Sequence, residues 1–224
     1  RSANVFLKCH LQTNLLEMQQ DKLSQQKKEA GYALTTNTAN ELVKNQHKKK
    51  ELEKISALNF YQSWLDTVAN RKEHLLSIWR NAKAFTSYIK GDDNCVIEEV
   101  ANKLNLLCYP RDYYSIDTLL YKQEDLVHKR DEGNYWFRDI RVAFEHENNF
   151  KGGLYQEVSH LLLVNADLKV LVNYPNEDTT NELQYLHEII SGNRQSKSIS
   201  DDESFLIIFG YESGFEWEGF VYKQ

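Results

Sequence analysis

The stretch Val142-Ala-Phe-Glu-His-Glu147 places two carboxylates, Glu145 and Glu147, two residues apart in a run rich in β-formers. Side chains alternate between faces along a strand, so residues two apart share a face. Glu145 and Glu147 therefore stand together, while Val142, Phe144 and His146 occupy the other side. Two neighbouring acids offer the hard oxygen ligands that Mg²⁺ takes. They can equally be a solvated strand face, and the pair alone does not decide between the two. His146 reads as a packed or hydrogen-bonded histidine, since it faces away from its acidic neighbours.

The surrounding pattern supplies the elements that must position the pair. From Gly91, the stretch GDDN (91–94) gives a break and an N-cap, and CVIEEVANKLNLL (95–107) reads as a helix ended by Pro110. YYSIDTLLY (113–121) and YWFRDIRVAFEHE (135–147) read as strands on either side of a polar connection. Gly152-Gly153 reads as a turn into a helix carrying Leu154, Val158, Leu161 and Leu162. On it, Glu157 and His160 read as surface or supporting residues. LKVLVNY (168–174) is a continuous apolar run, as expected of a strand buried on both faces. DTTNELQYLHEIISGN (178–193) reads as a helix, and SFLIIFGY with FEWEGFVYK as a hairpin around Ser213-Gly214. The order α-β-β-α-β-α-β-β predicts an α/β core over 91–224.

The first part of the chain has a different texture. Residues 11–30 carry a thin apolar stripe at helical spacing, Thr38 and Glu41 fit a capping box, and a helical region runs to about residue 90, in one or two pieces. Residues 1–90 hold 15 Lys and Arg against 8 Asp and Glu, and residues 91–224 hold 12 against 25, within a total charge of −6. A basic half can meet phosphates, whereas an acidic half disfavours a polyanion unless cations intervene. The expected division is thus a basic, mainly helical segment 1–90 and an α/β core 91–224. Lys48, Lys49 and Lys50 read as a solvated helix face or, alternatively, as phosphate contacts.

Three cysteines (Cys9, Cys95 and Cys108) form neither an even disulfide set nor a CxxC pair, and read as buried or idle thiols of a reducing, cytoplasmic compartment. No run of 18 apolar residues predicts a membrane span.

An acidic helix, a strand with an acid, a strand carrying acid-x-acid, and a helix leading to an apolar strand together resemble the restriction endonuclease-like, PD-(D/E)XK, nuclease superfamily. The resemblance covers about residues 94–174. It implies a mixed sheet flanked by helices, here with an N-terminal helical segment. It also implies Mg²⁺, with Mn²⁺ as substitute, held by Asp117, Glu145 and Glu147 beside a scissile DNA phosphate. Asp117 matches the first acid of the motif and Glu145 the second. Glu147 occupies the lysine position, a departure that some restriction enzymes share.

Members often add a glutamate from the first helix. Here Glu99 lies at the edge of the apolar stripe of Val96, Ile97, Val100 and Leu104, whereas Glu98 points away. The missing lysine leaves Lys151 or Lys169 as replacements, or a dead site. The resemblance thus implies a Mg²⁺-dependent deoxyribonuclease such as a type II restriction endonuclease, with Asp117, Glu145, Glu147 and Glu99 as its catalytic set. Lys48, Lys49, Lys50 and Lys151 would contact DNA, and segment 1–90 would touch DNA or a second subunit of a homodimer. The alternative is a catalytically inactive nuclease-like fold that binds or regulates.

Overall fold

The computed structural model describes residues 54–127, 135–150, 152–175 and 178–224. The pattern of residues 11–30, the Thr38–Glu41 box, Lys48, Lys49, Lys50 and Lys151 lie outside the described residues. The compact unit runs Lys54–Gln224.

It opens with three helices, α1 (Ala57–Asn70), α2 (Lys72–Ile78) and α3 (Ala82–Lys90). Local caps divide them: Ser56 accepts from the Asn59 amide at 3.1 Å and Asn81 from the Ala84 amide at 3.2 Å, each satisfying a free first-turn donor. Phe60 and Trp64, one helical turn apart, are fully buried, and their rings lie 6.4 and 5.9 Å from that of Phe144. Packing therefore continues across residue 90.

Helix α4 (Val96–Lys103) is followed by strand β1 (Leu107–Tyr109), where the apolar spacing predicts helix as far as Leu107. Asn105 takes a left-handed φ of 56°, and the Leu106 amide reaches back to the Ala101 carbonyl at 2.9 Å, closing the helix end. Strands β2 (Thr118–Tyr121) and β3 (Val142–Glu147) are shorter than the runs that suggest them. Before β2, Tyr113 and Ile116 exchange backbone hydrogen bonds across a tight turn, with Tyr114 and Ser115 at φ of 51° and 65°. Before β3, the fully buried-type pair Arg141–Asp125 pins the chain in irregular form, with Nε–Oδ2 at 2.8 Å and Nη2–Oδ1 at 2.7 Å. Helix α5 (Leu154–Leu163), strand β4 (Leu168–Asn173), helices α6 (Thr180–Ser191) and α7 (Ser196–Asp201), and strands β5 (Phe205–Tyr211) and β6 (Glu216–Val221) complete the unit.

The fold is α/β, with a six-stranded mixed open sheet in the order β1-β2-β3-β4-β5-β6. β1, β2 and β3 form an antiparallel meander, β3, β4 and β5 run parallel, and β6 returns antiparallel to β5. Val142, Phe144, Val170 and Val172 face a core shared with α1, α3 and α4, and Ala143, Leu171 and Ile207 face one shared with α5, α6 and α7. Helices thus cover both faces, which is why every residue of β4 is buried. Among the described residues, no helix is long and apolar enough to cross a membrane.

Candidate metal centre

Antiparallel pairing sets Thr118 opposite Phe144, which brings Asp117 beside Glu145. The two are joined crosswise. The Asp117 amide donates to Glu145 Oε2 at 3.2 Å, and the His146 amide donates to Asp117 Oδ2 at 2.9 Å. The other Asp117 oxygen accepts from Lys90 Nζ, at the last residue of α3. That lysine fulfils a need of the acids from a helix 27 residues upstream in sequence, where local spacing gives no sign of it.

Glu145 is 1% exposed, and its Oε1 is buried without a hydrogen-bond partner. Burial, then the charges of Asp117 and Glu157, push its pKa up to about 10. Crowded, dehydrated carboxylates cannot all ionise, and Glu145 is the one pushed toward its protonated form.

Helix α5 covers this edge of the sheet, because its buried Leu154, Val158 and Leu161 pack on the face that carries Glu145. That docking brings Glu157 and His160, three residues apart on one helix face, over the acid. His160 Nδ1 lies 3.4 Å from Glu157 Oε2 and 4.0 Å from Glu145 Oε1. One ligand atom from each of Glu145, Glu157 and His160 falls within 4.8 Å of the others, a grouping able to hold a metal ion. Glu157 is itself raised in pKa, chiefly by burial, with His160 opposing and Asp117 and Glu147 adding to the rise. In the sequence both residues read as surface or supporting positions. Their i, i+3 spacing was visible there, but the helix docking that aims them was not.

Glu147 shares the face of Glu145. Its carboxylate accepts from the Asn149 amide and lies against Gly153, where an added Cβ would stand 2.6 Å from Oε2. Gly153 has an ordinary backbone, so the absence of a side chain is what matters there. Asn173, opposite Glu147 in β4, donates through Nδ2 to the Glu147 carbonyl and holds the end of β3.

Other expected site residues sit elsewhere. Glu99 is bound by Arg71 at 2.7 Å and by Lys103 at 3.4 Å, on a helix that packs on the Phe144 face, opposite to Glu145. Glu98 caps its own helix by accepting from the Asn94 amide at 2.7 Å. Lys169 pairs in register with Ala143, two positions short of Glu145; burial lowers its pKa, with Asp167 and Asp202 opposing. His146 is packed, as its position predicts, with its ring 6.1 Å from that of Phe85 and 5.2 Å from that of Tyr174. Burial drives its pKa down to about 3, so it is neutral. Cys95 and Cys108 are free thiols whose pKa burial raises, which disfavours a reactive thiolate.

The chemistry of this arrangement fits a divalent cation. Glu145 from β3 meets Glu157 and His160 from α5 at a buried carboxylate oxygen that has no hydrogen-bond partner. No protein-family profile matches the chain, and no curated protein or solved structure is significantly similar to it.

Proposed function

We propose that the chain is a metal-dependent phosphodiester hydrolase acting on DNA, a nuclease of the restriction endonuclease-like kind. One observation carries this reading: Asp117, ahead of β2, and Glu145, within β3, are locked together by reciprocal backbone hydrogen bonds, with Glu147 on the same face. The order α4-β2-β3-α5-β4 is the order that the sequence resemblance implies, with the short strand β1 inserted after α4. It thereby supports the finer fold reading as well.

Asp117, Glu145 and Glu147 would hold the cation, with Glu157 and His160 beside them. When bound, the ion neutralises the phosphate and lowers the pKa of a coordinated water. The protein's own groups prepare that event. Lys90 holds Asp117 in place through an ion pair, and supplies the ammonium that the Glu-x-Glu strand lacks. A cation held there would take the place of the Glu145 proton, which would couple its binding to pH. Gly153 leaves Glu147 the room it occupies. DNA would be met by the basic residues of segment 1–90, Lys48, Lys49 and Lys50 among them, and by Lys151.

The test is cleavage of supercoiled, linear and single-stranded DNA and of RNA, with Mg²⁺ or Mn²⁺ and with EDTA as control. Cleavage dependent on cation and lost in Asp117→Asn is the expected result. Absence of cleavage across all substrates overturns the enzyme reading.

A second reading, an inactive nuclease-like fold that binds or regulates, has its own observation. Both Asp117 oxygens are engaged, one by Lys90 and the other by the His146 amide. DNA binding in EDTA with no cleavage under any cation would favour it.

A further inference from the structure

We infer that Glu145, Glu157 and His160 form a binding site for a first-row transition-metal ion of the Mn²⁺, Co²⁺ or Zn²⁺ class, in preference to Mg²⁺. The inference shares Glu145 with the proposed nuclease acids but rests on the donor set alone, so it survives a protein that never cuts DNA.

The donors converge from two elements, a strand and the helix that crosses over it. Glu145 Oε1 and His160 Nδ1 are both buried and both lack a hydrogen-bond partner, and they face each other across 4.0 Å. A protein interior rarely leaves two such atoms orphaned together unless a third body joins them. A second acid stands beside them, Glu157 Oε2, 3.4 Å from the imidazole nitrogen. Two donors held on one ion at ~2.0–2.2 Å each lie roughly 3 to 4.4 Å apart. The 3.4 and 4.0 Å separations fall inside that range.

Protonation of His160 would answer Glu157, yet it would leave Glu145 Oε1 without a hydrogen bond at its 4.0 Å distance. A cation satisfies all three at once. The donor set then selects the ion. Mg²⁺ is bound through oxygen and keeps its waters, whereas imidazole suits transition metals. Two carboxylates with one neutral imidazole are a mixed oxygen and nitrogen set, which favours the transition ions. His160 is the discriminating residue, because Glu145 and Glu157 would serve either class.

The experiment uses the full chain without a polyhistidine tag, stripped with EDTA and dialysed at pH 7.5. Mn²⁺, Co²⁺ and Mg²⁺ are titrated separately by calorimetry, Mn²⁺ binding is followed by electron paramagnetic resonance, and Co²⁺ binding by its visible absorption. One ion per chain is expected, with Co²⁺ and Mn²⁺ at least ~10-fold tighter than Mg²⁺. His160→Gln should lose ~10-fold or more of the Co²⁺ affinity and change the Co²⁺ spectrum, while Mg²⁺ affinity moves by less than ~3-fold. Glu157→Gln should weaken all three ions. His160 is 39% exposed, so an unchanged circular dichroism spectrum in EDTA is expected of its variant. Equal affinity for Mg²⁺ and Co²⁺, an unaltered Co²⁺ spectrum in His160→Gln, binding untouched by Glu157→Gln, or no saturable binding would each overturn the inference.

Discussion

Asp117 and Glu145 hold each other by backbone as well as by charge: the Asp117 amide donates to Glu145 Oε2 at 3.2 Å, and the amide after Glu145 donates to Asp117 Oδ2 at 2.9 Å. Neither carboxylate can swing away from the other without breaking a hydrogen bond. Their repulsion is therefore built into this end of the sheet and must be relieved by a proton, by Lys90 or by a metal ion. The solution behaviour expected of the protein follows from which of these three is present.

In EDTA the proton does this for Glu145. Its pKa rises from 4.5 to about 10, so the folded state keeps a proton that the unfolded chain releases. That contribution to stability is full below about pH 4.5 and is lost as pH rises toward about 10. The urea midpoint of the metal-free protein should fall between about pH 6 and 9, and Glu145→Gln should flatten the fall. A wild-type midpoint that is level over this range, or one unchanged in slope by the variant, would show that Glu145 is ionised throughout.

His146 works in the opposite direction. Its pKa falls from 6.5 to about 3 because it is buried among Phe85 and Tyr174. Its contribution is present above about pH 6.5 and is lost as pH drops toward 3, because the unfolded imidazole takes the proton first. His146→Phe should make the acid limb of the stability profile shallower. An acid limb as steep as wild type would assign acid unfolding to other groups.

Arg141 and Asp125 anchor the start of β3. Their side chains are 5% and 3% exposed, and the arginine also reaches Asp167 at 3.4 Å. Removing one partner of a buried pair strands the other charge, so Arg141→Met should cost about 3–5 kcal/mol in urea unfolding. Replacing both, with Asp125→Leu added, should recover a large part of that loss. No recovery in the double variant would mean that Asp125 matters more through the Lys122 amide it accepts from than through the arginine.

These two pairs also mark where the sequence was legible. Period-two spacing put Glu145 and Glu147 on one face, and the apolar run of β4 and the β5–β6 hairpin were plain from local pattern. What local pattern missed was set by single residues or by tertiary contact. Asn105 stops α4 and releases β1 through one left-handed φ, and a turn built on Tyr114 and Ser115 contains no glycine to announce it. The Arg141–Asp125 pair keeps 135–141 out of the sheet although its composition is that of a strand. Lys90, Glu157 and His160 reach the acids only because α3 ends and α5 begins at the same edge of the sheet, which no spacing within one element encodes.

Gly153 gives a test of Glu147. An alanine Cβ would stand 2.6 Å from Oε2 and 2.8 Å from Cδ, so the carboxylate must move rather than the backbone. Gly153→Ala should therefore change stability by no more than ~1 kcal/mol, since a side-chain end yields more easily than a packed core. Cation-dependent cleavage should drop by ~10-fold or more if Glu147 must hold its place. Wild-type cleavage in this variant would remove Glu147 from the reaction.

Lys90 and Asp117 decide whether the ammonium is a partner in the chemistry or a counter-ion that a metal displaces. Asp117→Asn keeps the shape and one oxygen but removes the charge that both Lys90 and a cation would use. Cation-dependent cleavage should fall by at least ~10²-fold, while DNA binding in EDTA persists or tightens because a negative charge beside the phosphate is gone. Lys90→Met leaves Asp117 with no ammonium on it. Removing a competing positive charge should tighten divalent-cation binding several-fold, roughly the effect of one neighbouring charge. If the lysine also serves the reaction, cleavage should still fall by ~10-fold or more despite the fuller metal site. The paired measurement is metal affinity by calorimetry and single-turnover cleavage at saturating cation. Tighter binding with unimpaired cleavage would make Lys90 a placeholder for the metal. Metal affinity unchanged in both variants would place the cation away from Asp117.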